Sequence, residues 1–113
     1  MAEQCLFCRI ASGDIPAKIV AEDATCIAFR DVNPQAPVHV LVIPRAHVTS
    51  LNEATSPALI ADVLQMAHEV AKQEGVAASG YRVVFNTGSD GGQSVFHLHA
   101  HLLGGRHMAW PPG

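Results

Sequence analysis

The chain lacks what would carry it through a membrane: no uncharged apolar run reaches 18 residues, and Met1-Ala-Glu-Gln-Cys5 is neither basic nor followed by a long apolar stretch. Neither a membrane span nor a secretory signal is expected. Positive charge is also scarce. Lys and Arg number 7 against 10 Asp and Glu, the formal net charge is −3, and no run of like charges occurs. The electrostatic footprint of a nucleic-acid binder is missing, so any phosphate must be held locally. Neither Gly-x-x-x-x-Gly-Lys-Ser/Thr nor Gly-x-Gly-x-x-Gly is present, which removes the P-loop and the Rossmann site. Three cysteines in a chain of intracellular character argue against a disulfide framework. What remains is 113 residues, 49% hydrophobic and 15% charged, with no repeat, linker or low-complexity stretch. This composition predicts one compact domain over residues 1–113, placed in the cytoplasm. At this size folding removes roughly two-thirds of the chain's surface, leaving a thin core that a dimer would supplement. Against this background seven histidines stand out, as many as all Lys and Arg together.

Cys5-Leu-Phe-Cys-Arg-Ile10 reads as a short helical turn, ended by Ser12-Gly-Asp-Ile-Pro16. From Ala17 to Val32 the β-branched and aromatic residues suggest two antiparallel strands around a tight turn at Glu22-Asp-Ala24. Pro34 and Pro37 force a loop, and Val38-His-Val-Leu-Val-Ile43 is a nearly continuous apolar strand, expected to be central and covered on both faces. Ser56-Pro57 starts a helix, with Ser56 as cap. Leu59, Ile60, Val63, Leu64, Ala67, Val70 and Ala71 make its apolar stripe, and Gly75 ends it. Tyr81–Phe85 is a fourth strand, Asn86–Gln93 a glycine-rich loop, and Val95–Leu103 a fifth strand. The order predicts an α+β fold: a five-stranded antiparallel sheet with one long helix and a short N-terminal helix.

In Phe96-His-Leu-His-Ala-His-Leu102 polar and apolar residues alternate with period two, so His97, His99 and His101 face one way while Phe96, Leu98, Ala100 and Leu102 face the core. A merely solvated face would use Thr, Lys or Glu. A shared metal is the other reading, but the outer pair sits about 13 Å apart by strand rise, too far for one ion without a bend. Upstream, Gly88-Ser-Asp-Gly-Gly-Gln-Ser94 offers backbone N–H groups and a hydroxyl that can hold an anion without net positive charge. Imidazole suits phosphorus chemistry: with a free pKa of about 6.5 it is mostly neutral at pH 7 and approaches an anionic phosphate without repulsion. As a nucleophile it splits one hard displacement into two easier ones. The central His99, with a same-face neighbour on either side, is the candidate nucleophile.

The run His97-Leu-His-Ala-His-Leu-Leu103 matches His-φ-His-φ-His-φ-φ, with φ hydrophobic, and resembles the histidine-triad (HIT) superfamily. Phe29-Arg-Asp31, Pro34-Gln-Ala-Pro37, Leu41-Val-Ile-Pro44, the loop Asn86 to Ser94 and the ending Trp110-Pro-Pro-Gly113 are similar to the Hint branch, over nearly the whole chain. The resemblance implies the HIT fold, a homodimer, and a purine nucleoside phosphoramidase that hydrolyses P–N bonds through a nucleotidyl-histidine intermediate. It implies that His99 attacks the α-phosphorus, that His101 contacts the phosphate, that His97 orients the triad through its main chain, and that His39 assists proton traffic. Ser94 and the amides of Gly92, Gln93, Ser94 and Val95 would cradle the phosphate, with Ser94 near the departing amine. Asp31 would take the ribose hydroxyls, Ile15, Phe29 and Val32 the base, and Asn86 the sugar and phosphate. Trp110 would reach the partner subunit's site. Without the resemblance, Phe29 and Val32 read as core, Asp31 as a turn residue, Trp110 as a packing anchor and His39 as a buried strand histidine.

Cys5-x-x-Cys8 has the spacing of a redox pair, though no thioredoxin-like βαβ pattern surrounds it; as half of a zinc site it needs two more ligands, for which His47 and His97 are the candidates, and two small buried thiols are the alternative. Many bacterial HIT proteins resemble this arrangement. Cys26 is expected to be packing. No cluster of carboxylates surrounds the proposed site, so no cofactor is expected for catalysis. Two other functions fit the same residues: hydrolysis or transfer on dinucleoside polyphosphates, and a nucleotide-binding interaction protein whose activity is incidental.

Overall fold

Successive strand residues point to opposite faces of a sheet, and here both faces are covered. The computed structural model describes residues 4–113; Met1 to Glu3, read above for a leader, lie outside the described residues. The elements run α1 (Leu6–Ala11), β1 (Ile19–Glu22), β2 (Cys26–Arg30), β3 (Val38–Pro44), α2 (Pro57–Gln73), β4 (Tyr81–Phe85) and β5 (Ala100–Gly104), with one 3-10 turn, Leu51–Glu53, before α2. The strands form one antiparallel sheet in the order β1-β2-β3-β5-β4. This is the expected α+β architecture of five strands, one long helix and one short one. The β1–β2 turn is closed by Asp23, whose Oδ1 accepts the N–H groups of Thr25 at 2.9 Å and Cys26 at 2.8 Å.

The continuous apolar run of β3 follows from its central position. Val40 and Val42 pack with Cys26, Ala28, Ala100 and Leu102 under the α2 side chains of Val63, Ala67 and Val70. Leu41 and Ile43 join Ile27 and Phe29 on the other face, against Phe7 and Ile10 of α1. The helix starts at Pro57 after Ser56, but the Ser56 hydroxyl makes no capping bond. Pro57 has no N–H there to be satisfied. Its buried stripe includes Met66, three residues after Val63 and four before Val70, whereas Leu64, at the flank of that face, is 42% exposed. Gly75 takes the chain out of the helix at φ 77°, a left-handed conformation that costs glycine no side-chain clash.

The fifth strand begins at Ala100, not at Val95. Val42 pairs with Ala100; the same register would set Pro44 opposite Leu98, where proline has no N–H to donate. The Leu98 N–H donates instead to Val48 O at 2.6 Å. Residues 95–99 therefore carry the first two triad histidines on irregular backbone outside the ladder. Phe96, expected in the core, is 59% exposed, while Leu98, Ala100 and Leu102 are buried as expected. No helix among the described residues is long and apolar enough to cross a membrane.

Candidate functional site

A cleft of about 1010 Å³ opens on the α1 face of the sheet, lined by His39, His99, His101, Ser94, Val95, Ile15, Phe29, Asp31 and Val32 among others. Strand register explains two of these. His39 pairs with Leu103 and Leu41 with His101, so the two histidines lie diagonally across β3 and β5 on one face. Their rings approach to 2.9 Å between His39 Nε2 and His101 Nδ1. Asp31, just past β2, sets a carboxylate oxygen 3.4 Å from the same Nε2.

Backbone contacts fix the tautomer of each ring. The Gln35 N–H donates to His39 Nδ1 at 3.0 Å, so the proton of a neutral His39 sits on Nε2 and faces His101 Nδ1. That leaves the His101 proton on Nε2. His99 Nδ1 donates to the His97 carbonyl at 2.7 Å, which leaves Nε2 with the lone pair. His97 Nε2 donates to Pro44 O at 2.8 Å, so its lone pair is on Nδ1. Burial keeps these rings neutral. It pushes His99 below the ordinary imidazole range, opposed by the bond to His97 and the Asp31 charge. It pushes His101 down to about 4, aided by His99 and His39 beside it. His39 is lowered by burial against the pull of Asp31.

His97 lies on the same α1 side as His99, with Phe7 edge-on to both rings, but it does not line the cleft. Its ring is fully buried and points to Cys5 and Cys8. Cys5 Sγ, Cys8 Sγ, His47 Nδ1 and His97 Nδ1 all lie within 4.8 Å of one another. His97 Nδ1 is 3.4 Å from Cys5 Sγ and 3.5 Å from Cys8 Sγ, and His47 Nδ1 is 3.3 Å from Cys8 Sγ. Usual zinc–sulfur and zinc–nitrogen lengths make the sulfur–nitrogen edge of a tetrahedron about 3.6 Å, so this donor set fits a closed four-coordinate zinc. Pro44 O on His97 Nε2 is the outer partner such a ligand needs. Desolvation and the neighbouring Cys5 push the Cys8 thiol up to about 11, the proton a divalent cation would displace on binding. Asp31, His39 and His101 form a second group of potential ligand atoms within 4.8 Å. The proton on His39 Nε2 makes that group a hydrogen-bond chain rather than a cation site.

The glycine-rich loop is held by Gln93. Its Oε1 accepts Gly88 N–H at 3.0 Å, and its Nε2 donates to Thr49 O at 2.7 Å and Val95 O at 3.1 Å. The Gly92 and Gln93 amides are used inside the loop, on Ser89 O and Gly88 O. Ser94 and Val95 N–H meet no backbone carbonyl among the described residues, and these two residues line the cleft. Asn86, Gly92, Gln93 and Trp110 are not in its lining. Trp110 is 82% exposed, and its tail is tied to β4 by Arg82 Nη2 donating to Ala109 O at 2.9 Å. Lys18 and Arg30 line the cleft as well, and no motif in the sequence pointed to them. Nor did any pattern point to the contacts of Gln35 N–H, Pro44 O and Val48 O, because main-chain atoms leave no residue-type signal.

The HIT domain model matches residues 12–108. The chain is similar to the crystal structure of a HIT family hydrolase from Legionella pneumophila, with a TM-score of 0.94 and 52% identity over 96% of this chain and 99% of that one. It is similar to a Zn-bound histidine triad family protein from Mycobacterium smegmatis, TM-score 0.84 and 31% identity, covering 94% of this chain and 78% of that one. A histidine triad nucleotide-binding protein from Candida albicans has a TM-score of 0.82 and 31% identity, over 95% of this chain and 82% of that one. With the His-φ-His-φ-His-φ-φ run of residues 97–103 inside the matched span, the chain belongs to the HIT domain family.

Proposed function

We propose that this chain is a purine nucleoside phosphoramidase of the Hint type, hydrolysing the P–N bond of AMP-like phosphoramidates through a nucleotide carried on His99. The observation that carries the reading is the 2.7 Å bond from His99 Nδ1 to the His97 carbonyl, which leaves a neutral Nε2 lone pair on a ring lining the cleft beside Ser94. That lone pair forms the bond to the α-phosphorus as the P–N bond to the amine breaks. The departing nitrogen takes a proton relayed from solvent through the Ser94 hydroxyl and leaves as the amine. Water then attacks phosphorus as the His99 Nε2–P bond breaks, and the proton that the water gives up passes back to solvent by the same hydroxyl. His101, held by His39, contacts the phosphoryl oxygens with Nε2–H, and the Ser94 and Val95 amides complete the donors. Asp31 takes the ribose hydroxyls, and Ile15, Phe29 and Val32 hold the purine. Asn86 acts from the start of the loop.

Cys5, Cys8, His47 and His97 hold a structural zinc in this reading. Such an ion cross-links the N-terminal helix to the triad and supplies folding energy rather than a reacting water. The homodimer forms across the edge strand β4, beside which Arg82 ties the tail, so that Trp110 reaches the partner's cleft. The reduced thiols suit the cytoplasm.

Turnover of adenosine 5′-phosphoramidate against a diadenosine polyphosphate, by the wild type and by His99→Ala, tests the assignment. The P–N substrate is preferred, and His99→Ala loses about a thousandfold or more in kcat while still binding AMP. Unchanged turnover in the variant overturns the proposal; preference for the polyphosphate moves the chain to that other activity.

A further inference from the structure

The proposed nucleophile His99 and the residue that orients it, His97, stand where the sheet has stopped. β5 begins at Ala100, so residues 97 to 99 lie outside the paired strand. Besides the bond from His97 Nε2 to Pro44 O at the end of β3, three contacts hold them, and each of these leads to the cysteine–histidine cluster. The His97 side chain lies among Cys5, Cys8 and His47 while its main-chain carbonyl grips His99. Leu98, between the two histidines, donates to Val48, the residue after His47. Phe7, between Cys5 and Cys8 in sequence, packs edge-on against both rings, with centroids 6.0 Å from His97 and 5.1 Å from His99.

We propose that the Cys5–Cys8–His47–His97 centre is the positioning device of the nucleophile: a divalent ion bound there sets the 97–99 segment, and through the His97 carbonyl it sets the tautomer and direction of the His99 ring. Cys5, Cys8 and His47 are then positioning residues for a reaction whose substrate they do not touch. The inference rests on the reading of His99 as nucleophile. It separates chemistry from binding in degree: Asp31 is set past β2 by the Asn33 N–H, away from the cluster, while Phe29 and Ile15 meet it only through apolar packing with Phe7 and Cys5, which needs no ion to form.

The test compares the zinc-loaded chain with the same chain stripped by chelator under reductant, and with His47→Ala at graded zinc; His47 is exposed, so its removal disturbs little packing. Hydrogen exchange at the Leu98 amide, AMP affinity by calorimetry, and kcat and KM for adenosine 5′-phosphoramidate are measured on each. On stripping, the Val40 and Leu102 amides stay protected while Leu98 exchanges about tenfold faster or more. The kcat falls about 10- to 100-fold, KM and AMP affinity move by about threefold or less, and returned zinc restores the loaded values. His47→Ala follows the same curve at higher zinc. Equal Leu98 protection and equal kcat with and without metal overturn the proposal, as does a parallel loss of AMP affinity and kcat. Should stripping unfold the chain, His47→Ala at sub-saturating zinc decides: a kcat that tracks occupancy supports positioning, and one independent of occupancy contradicts it. A loaded chain that turns over no phosphoramidate overturns the phosphoramidase reading instead, and Leu98 exchange then still decides whether the ion sets the segment.

Discussion

His39 Nε2 lies 2.9 Å from His101 Nδ1, and the Gln35 N–H on the far side of His39 settles which ring carries the proton between them. The pair is therefore neutral on both sides, a state burial favours and acid opposes.

That opposition has a direction. His101 titrates at about 4 and His39 below its ordinary value, whereas in the unfolded chain both take up protons near 6.5. Between those values the unfolded state binds more protons, so stability is full above about pH 6.5 and falls as pH drops toward 4. With the partly exposed His101 ring screened by water, the loss is on the order of 1 kcal/mol, or about 4–8 °C in Tm. Thermal unfolding at pH 7.5, 6 and 5 should show the decline, and His101→Gln should lessen it without abolishing it, since burial lowers His39, His97 and His99 as well. A Tm unchanged from pH 7.5 to 5 contradicts the buried neutral pair.

Asp31→Asn keeps the fold, because the bond from Asn33 N–H to Oδ1 at 2.8 Å can be accepted equally by an amide oxygen. It removes the charge proposed to accept from the ribose. The KM for ribonucleotide substrates should rise about tenfold, and the advantage of the ribo over the 2′-deoxyribo substrate should largely disappear. Steady-state kinetics on the two sugars measures this, and an unchanged ratio removes Asp31 from the sugar site.

Gln93→Ala strips the glycine-rich loop of three hydrogen bonds at a buried position. Stability by urea titration should fall by about 2–3 kcal/mol, and KM should rise as the Ser94 and Val95 amides lose their setting. A loss under about 0.5 kcal/mol would show that the loop holds its shape without the clamp.

The legible parts of this fold are those written in side-chain period. The apolar run of β3, the stripe of α2 and the alternation through Ala100 and Leu102 all follow from burial, and the sheet realises them. The failures lie where main-chain atoms decide. Alternation alone carried the fifth strand back to Val95 and put Phe96 in the core. A proline one strand away ends the ladder, Phe96 turns outward, and the His97 ring turns to the cysteines. Gln93 reads as one polar residue of a flexible loop, yet its amide uses both ends on loop and neighbouring backbone. Cys5-x-x-Cys8 is legible as half of a metal site from its spacing, whereas the choice of His47 and His97 among seven histidines follows from the family resemblance; the structure gathers all four.

The central claim is that His99 carries the nucleotide between the two halves of the reaction, and the adduct itself is the most direct observable. Wild-type protein mixed with excess adenosine 5′-phosphoramidate, quenched within one turnover and mapped by peptide mass spectrometry, should carry an adenylyl group on His99, and His99→Ala should carry none. Turnover with no adduct at any time point, or an adduct on His101 that persists in His99→Ala, would contradict the account.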